Sequence, residues 1–179
     1  MQSPGLFVGW RASPSLPGPL SDRVTISEVA FQVSDFEVVG DFGPVARTRY
    51  LLAWNASGAP AQESFPDAPA AVYSSITLDF STTHDYAYAY QIRGTVHDQS
   101  MNELFKIEDA NSLHIAFPCD RRVTAGAATT FSIAVDLRNA VNGIDFTKVD
   151  QEDGAFELKV GNELDKFRKR LASAFKVEN

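Results

Sequence analysis

Hydrophobic and polar residues alternate with a period of two along most of this chain, a pattern that predicts β-strands. The clearest runs are Val72–Phe80, Tyr86–Val96, Ser112–Phe117, Thr129–Leu137 and Phe156–Val160. In the segment Arg23–Val33 the alternation changes phase near Ser27 and Glu28, which predicts a β-bulge or a bend between two sheets. The whole pattern indicates about eight or nine short strands.

The same alternation predicts which side chains fill the core. Phe131, Ile133, Tyr88 and Ile76 lie on the apolar side of their strands, so we expect all four to be buried. No helical pattern separates successive strands, which disfavours a parallel sheet with crossover helices. The pattern therefore predicts a mainly β fold, an antiparallel β-sandwich that is immunoglobulin-like or related.

The two ends of the chain depart from this alternation. Residues 1–22 contain four of the nine prolines and predict a flexible, Pro-rich entry segment, with an apolar island at 6–10 that would suit a short edge strand. Residues 163–175 have apolar positions at helical spacing, Asn162 as a cap and acidic residues in the first turn. We predict one C-terminal amphipathic helix, within a single domain spanning 23–179.

Composition and charge narrow the function classes. The 179 residues are 44% hydrophobic and 22% charged, as in globular proteins, which excludes an intrinsically disordered chain. The net charge is −7, and the sequence lacks the clustered cations that nucleic-acid binding requires, which disfavours a nucleic-acid-binding protein. The sequence contains no run of about 18 apolar residues, so it predicts no transmembrane segment. The only cysteine, Cys119, permits no disulfide within the chain and no Cys-rich metal cluster.

Motifs of catalytic chemistry are absent from the sequence. It contains no GxSxG, HExxH, GxxxxGK[ST] or GxGxxG pattern. Cys119 follows Pro118 at a strand end, where a half-buried structural thiol is more common than a nucleophile. The acidic run Asp150–Gly154 lacks the ligand spacing of a calcium loop, which favours a solvated turn. We therefore predict no enzyme activity and no cofactor.

The three histidines are the candidate metal ligands. His84 and His97 bracket the Tyr86–Val96 run, which as one extended strand would hold them roughly 40 Å apart. His114 lies on the polar side of its strand. A site would therefore need one histidine with a carboxylate from another strand, such as Asp79 or Asp136. We predict no tight copper or zinc site and expect surface histidines in turns.

Two surface features leave alternatives open. Asn55-Ala56-Ser57 matches a glycosylation sequon in a predicted loop, which has meaning only in a eukaryotic secreted protein. Five cations follow one side of the C-terminal helix: Lys166, Arg168, Lys169, Arg170 and Lys176. They form either the solvated face of a packed helix or a docking surface for an acidic partner or anionic lipid.

A family resemblance adds expectations about location and function. The stretch Asp67–Phe80, with Val24–Val29 and Ala125–Leu137, resembles strands of bacterial extracytoplasmic β-sandwich domains, many of them predicted lipoproteins. The resemblance implies a non-catalytic binding, adhesion or envelope-structural domain in the periplasm or cell envelope. It also implies an unidentified protein or envelope partner and is compatible with a lipid anchor on the full-length precursor. The sequence is also similar in strand style to methanobactin-partner-like periplasmic proteins, some of which bind copper through histidines. A periplasmic copper or other metal-binding protein is therefore the alternative function.

Overall fold

Strands account for most of residues 5–98 and 101–178, the part of the chain that the computed structural model describes. The strands are β1 Gly5–Ala12, β2 Gly18–Ser21, β3 Val24–Gly40, β4 Gly43–Trp54, β5 Glu63–Phe65, β6 Val72–Phe80, β7 Tyr90–Asp98, β8 Met101–Asp109, β9 Leu113–Arg122, β10 Ala128–Val135, β11 Gln151–Glu152, β12 Ala155–Leu158 and β13 Phe175–Glu178. The helices are α1 Arg138–Asn142 and α2 Asn162–Leu171, with a 3₁₀ turn at Phe146–Lys148. The mainly β prediction is confirmed, although the described residues contain thirteen strands rather than eight or nine.

The strands form two sheets. A four-stranded sheet has the order β13-β10-β1-β5, and a nine-stranded sheet is built around β3. Most neighbouring strands are antiparallel, as predicted, but β1 pairs with β10 and β8 with β12 in parallel. The strands of each parallel pair are far apart in sequence. No strand–helix–strand pattern in the sequence therefore signals these pairs.

The long strand β3 divides the larger sheet into two arms. One edge of β3 pairs with β4 from Val29 to Gly40. On the opposite edge, residues 24–31 pair with β7 and residues 33–40 pair with β6. The sheet therefore continues from one half of β3 into β7 and β8, and from the other half into β6 and β9. The predicted bulge is confirmed, since the register of β3 and β7 shifts between Ile26 and Glu28.

Aromatic side chains join the two sheets. Phe175 of β13 lies 5.5 Å from Phe31 and 5.8 Å from Phe80 between ring centroids, and Trp10 of β1 lies 5.4 Å from Phe36. The helix α2 covers the β7 arm, where Phe167 lies 6.0 Å from Tyr90. Burying each ring of this size stabilises the fold by about 1.5–3 kcal/mol relative to leaving it exposed.

The structure corrects the prediction of a flexible entry segment. Within residues 1–22, β1 lies between β10 and β5 rather than at an edge, and its Leu6 and Val8 are fully buried. Three of the four prolines that suggested flexibility, Pro14, Pro17 and Pro19, lie between β1 and β3, and Pro4 lies outside the described residues. The partner strand β10 lies more than a hundred residues away in sequence, so no local pattern could show the pairing.

The predicted helix is correct in its core but too long at its end. Leu164, Phe167 and Leu171 are buried on α2, as expected, and Gly161 occupies the N-cap position rather than Asn162. The helix ends at Leu171, and Phe175 begins β13. Leu171 and Phe175 are four residues apart, which is also the spacing of residues on one face of a helix. The prediction therefore included Phe175 in the helix, although it is a buried strand residue after a short turn.

The core prediction holds for three of its four residues. Phe131, Ile133 and Ile76 are buried. Tyr88 is only half-buried, because pairing of β7 begins at Tyr90 and the preceding residues leave the sheet. Val160, expected on a strand, is exposed beyond the end of β12.

The basic side of α2 is largely engaged by acceptors within the chain. Arg168 donates to both carboxylate oxygens of Asp109, which is 1% exposed and also accepts from the Tyr90 hydroxyl at 2.6 Å. Lys166 pairs with Glu163 at 2.6 Å, and Arg170 donates to a main-chain carbonyl of the loop after α1. These contacts favour a packed, partly solvated helix face over a docking surface.

Candidate functional site

A cleft of about 670 Å³, here called the outer cleft, lies on the larger sheet. Phe31 and Val33 point from β3 into the core, so the alternate residues Gln32 and Ser34 face the opposite side of the sheet. The cleft opens on that side, over the middle of β3. It is lined by Gln32, Ser34, Arg49, Tyr50, Leu51, Ser81, Thr82, Thr83, His84, Asp85 and Tyr86.

The cleft lies where β3 changes partner from β6 to β7. The main chain of Gln32 spans the junction, since its carbonyl accepts from the Ser81 amide and its amide donates to the Ala89 carbonyl. Between these two bonds, residues 82–88 leave the sheet as a loop. The loop forms one wall of the cleft, and β4 at residues 49–51 contributes another part of the lining.

A bulge at Ser34 places extra polar groups on this face. The buried positions of β3 shift from Phe31 and Val33 to Phe36 and Val38, and the register with β6 shifts between Val33 and Asp35. The Ser34 hydroxyl donates to the Asp79 carbonyl at 3.0 Å. The phase change is visible in the sequence, so this bulge could have been predicted in the same way as the first one.

Gln32 carries a buried acceptor in the lining of the outer cleft. It is only 6% exposed, yet among the described residues its Oε1 accepts no hydrogen bond. A buried acceptor without a donor costs about 1–3 kcal/mol, so native proteins rarely keep one without a function. A ligand that donates an N–H or O–H would satisfy this oxygen.

Arg49 contributes a cation on a strained backbone. Its φ of 56° lies in the left-handed region, and its side chain is exposed with no ion pair in the described part of the chain. Such a conformation costs a bulky residue about 1–3 kcal/mol and is concentrated at functional sites. The ladder between β3 and β4 skips this position, since Tyr50 pairs with Val33 and Thr48 with Asp35.

The loop side of the cleft carries His84, Asp85 and Tyr86. His84 is fully exposed, and its Nδ1 lies 3.4 Å from the Asp85 carboxylate. Tyr86 is 44% exposed, and Leu51 on β4 is 39% exposed. The cleft therefore combines hydroxyl, amide and charged groups with the exposed aromatic ring of Tyr86.

The structure separates the three candidate metal ligands. His84 lies on the loop before β7, so the expectation that one extended strand joins it to His97 is wrong. His97 is held structurally, with Thr25 Oγ1 2.9 Å from one ring nitrogen and Asn102 Oδ1 2.8 Å from the other. The described residues contain no group of three His, Cys, Asp or Glu placed to hold a metal ion.

His114 forms the histidine–carboxylate pair that the sequence suggested. Its Nδ1 lies 2.7 Å from Asp79 Oδ1, across directly paired positions of β9 and β6. Asp79 pairs in turn with Asp35, and Asp35 Oδ1 is buried without a described hydrogen-bond partner. Asp136, the other proposed carboxylate, instead binds Arg138 at 2.5 Å, and that interaction holds the pKa of Asp136 below its usual value.

The remaining residues that the sequence singled out are Cys119, the acidic run Asp150–Gly154 and Asn55, and each lies in a strand or a turn. Cys119 is buried on β9, and burial raises the pKa of its thiol to about 11, which disfavours the nucleophilic thiolate. Asp153 and Gly154 form the turn between β11 and β12 with positive φ values, as expected of a solvated turn. Asn55 begins a tight turn closed by mutual hydrogen bonds with Gly58.

Comparison with known proteins gives no relative. No protein-family model, curated protein or solved structure matches this chain. None of the helices in the described residues is long and apolar enough to cross a bilayer. The geometry of the outer cleft and its neighbouring residues is therefore the basis for the proposed function.

Proposed function

We propose that this protein is a non-catalytic β-sandwich binding domain, immunoglobulin-like or related, whose ligand occupies the outer cleft. The observation that carries the proposal is the buried Oε1 of Gln32 in the lining of that cleft, which accepts no hydrogen bond from the described residues. The strained backbone of Arg49, on β4, supports it independently. The proposal includes the extracytoplasmic setting, in the periplasm or bacterial cell envelope, which the sequence resemblance suggests.

In the proposed function, the polar groups of the outer cleft bind the ligand without transforming it. A nucleophile and its base must lie within about 2.6–3.2 Å of each other. Among the described residues of the cleft, no hydroxyl is hydrogen-bonded to a histidine or carboxylate side chain. The buried thiol of Cys119 is not part of the lining.

A titration with varied small molecules tests this proposal. The ¹⁵N-labelled protein is titrated with oligosaccharides, dipeptides, nucleoside monophosphates and dicarboxylic acids. We expect one class to shift the amide signals of Gln32, Arg49 and residues 81–86 and to be recovered chemically unchanged. Chemical conversion of the ligand, or shifts confined to other surfaces, would contradict the proposal.

A matched pair of variants makes the test specific. Gln32→Leu removes an acceptor that has no partner, so we expect unchanged or slightly higher stability and at least about tenfold weaker ligand binding. Gln91→Leu is the control, because Gln91 lies outside the cleft and bonds to Glu108. That variant should lose some stability and keep the ligand affinity.

The alternative metal-binding function depends on the His114–Asp79 pair. A carboxylate on Nδ1 orients a histidine to bind metal through Nε2, but a copper or zinc site needs further ligands. We expect isothermal titration of metal-stripped protein with Cu²⁺ or Zn²⁺ to give no one-to-one site tighter than about micromolar. A tight site that disappears in His114→Ala would instead establish metal binding.

A further inference from the structure

The geometry points to a neutral saccharide as the ligand of the outer cleft. This inference rests on the proposed function, since it names the chemical class that the cleft would recognise. It follows from three features of the described lining: its hydrogen-bonding groups, its exposed aromatic ring and its charge.

The hydrogen-bonding groups of the cleft require a ligand that both donates and accepts. Gln32 Oε1 needs a donor, whereas the Arg49 guanidinium only donates. The remaining polar lining consists mainly of hydroxyl groups, at Ser34, Tyr50, Ser81, Thr82, Thr83 and Tyr86. All of these can accept a hydrogen bond, and all except Ser34, which already donates to the Asp79 carbonyl, can also donate one. A sugar hydroxyl donates one hydrogen bond and accepts others, so adjacent hydroxyls of one ring satisfy both kinds of group.

The exposed ring of Tyr86 provides a second kind of contact. It lies in the cleft wall with 44% of its surface accessible. An aromatic ring packs against apolar C–H groups while its hydroxyl stays in water. A pyranose presents such C–H groups on one face and hydroxyls around its edge, which matches an aromatic wall beside polar groups.

The charge of the site disfavours anionic ligands. Within the described lining, Arg49 is the only permanently cationic side chain, and the carboxylate of Asp85 offsets it. The whole chain carries a net charge of −7, which repels anions at long range. A nucleotide or phosphate ligand would require more cations than this cleft offers.

A peptide added as a strand is also disfavoured. Such a peptide needs a strand with a regular, unpaired edge. The strand that lines this part of the outer cleft is β4. Pro44 lacks an amide donor, Arg49 is in the left-handed region, and Arg47 donates to the Ser64 carbonyl of β5. These features protect β4 from additional strands. A volume of about 670 Å³ is that of a small-ligand site and suits a short oligosaccharide.

Calorimetric titration of the full chain with maltotriose, cellotriose and chitotriose tests this inference. We expect one of them to bind with an affinity that changes less than twofold between about 0.05 and 0.5 M NaCl, because the ligand is uncharged. Tyr86→Ala should weaken binding at least tenfold, whereas Tyr86→Phe should retain most of it. Phe42→Ala, which removes an exposed ring outside the cleft, should leave the affinity unchanged.

The outcomes separate this inference from the proposed function. If dipeptides or nucleoside monophosphates shift the cleft amides and the three saccharides do not, the saccharide inference is wrong and the binding cleft stands. Saccharide binding that is insensitive to Tyr86→Ala and Gln32→Leu would also overturn the inference. If no probe shifts the cleft amides, both the inference and the proposed function fail.

Discussion

Replacing Phe175 with alanine should lower the free energy of unfolding by about 3–5 kcal/mol. Phe175 is 3% exposed, and its ring contacts Phe31, Phe80 and Phe117 from three strands of the larger sheet. Removing the ring leaves a cavity between the sheets that the surrounding strands can fill only partly. Urea denaturation followed by circular dichroism measures this loss.

Phe42→Ala is the matched control for this prediction. Phe42 lies in the turn between β3 and β4 and is 77% exposed, so its loss should change the unfolding free energy by less than about 0.5 kcal/mol. Equal effects of the two substitutions would show that Phe175 does not join the two sheets. In that case β13 would be an appendage rather than part of the core.

Replacing Asp109 with leucine should destabilise the protein by about 3–5 kcal/mol. The substitution removes a carboxylate that accepts from Arg168, Tyr90 and Asn111, and it leaves the Tyr90 hydroxyl buried without its partner. The paired variant Asp109→Leu/Arg168→Met should recover much of the stability, because both members of the ion pair are then apolar. The control Asp165→Asn affects only an exposed partner of Arg168 and should cost less than about 1 kcal/mol.

The pH dependence of stability provides a second check on Asp109. Burial opposes ionisation, but hydrogen bonds from Arg168, Tyr90 and Asn111 outweigh it and hold the pKa of Asp109 below the ordinary 3.8. Because the folded state has the lower pKa, this contribution is present above about pH 3.8 and is lost as the pH falls further. Asp109→Asn should therefore show a shallower loss of stability in acid. An unchanged slope would contradict the role assigned to this carboxylate.

Local patterns were sufficient to locate one strand and one bulge. The predicted bounds of Val72–Phe80 coincide with β6, and the phase change near Ser27 marks a real bulge. Even within β6, however, the alternation places Tyr73 on the side opposite to the buried Ile76, whereas Tyr73 is itself buried. The reason is that the register of β6 with β9 shifts between Tyr73 and Ser75. Alternation records which positions meet the core only while the register stays constant.

The features that matter most for function depend on contacts between distant segments. The outer cleft combines residues 32–34, 49–51 and 81–86. These segments meet because one edge of β3 pairs with β6 along residues 33–40 and with β7 along residues 24–31. The ion pair that holds α2 joins Asp109 and Arg168, 59 residues apart. The sequence by itself determined the mainly β class, the apolar face of α2 and the lack of a local catalytic motif, since these depend on neighbouring residues. The pairing of β1, the end of α2 and the cleft required the tertiary structure, because hydrogen bonding between strands is set by partners far along the chain.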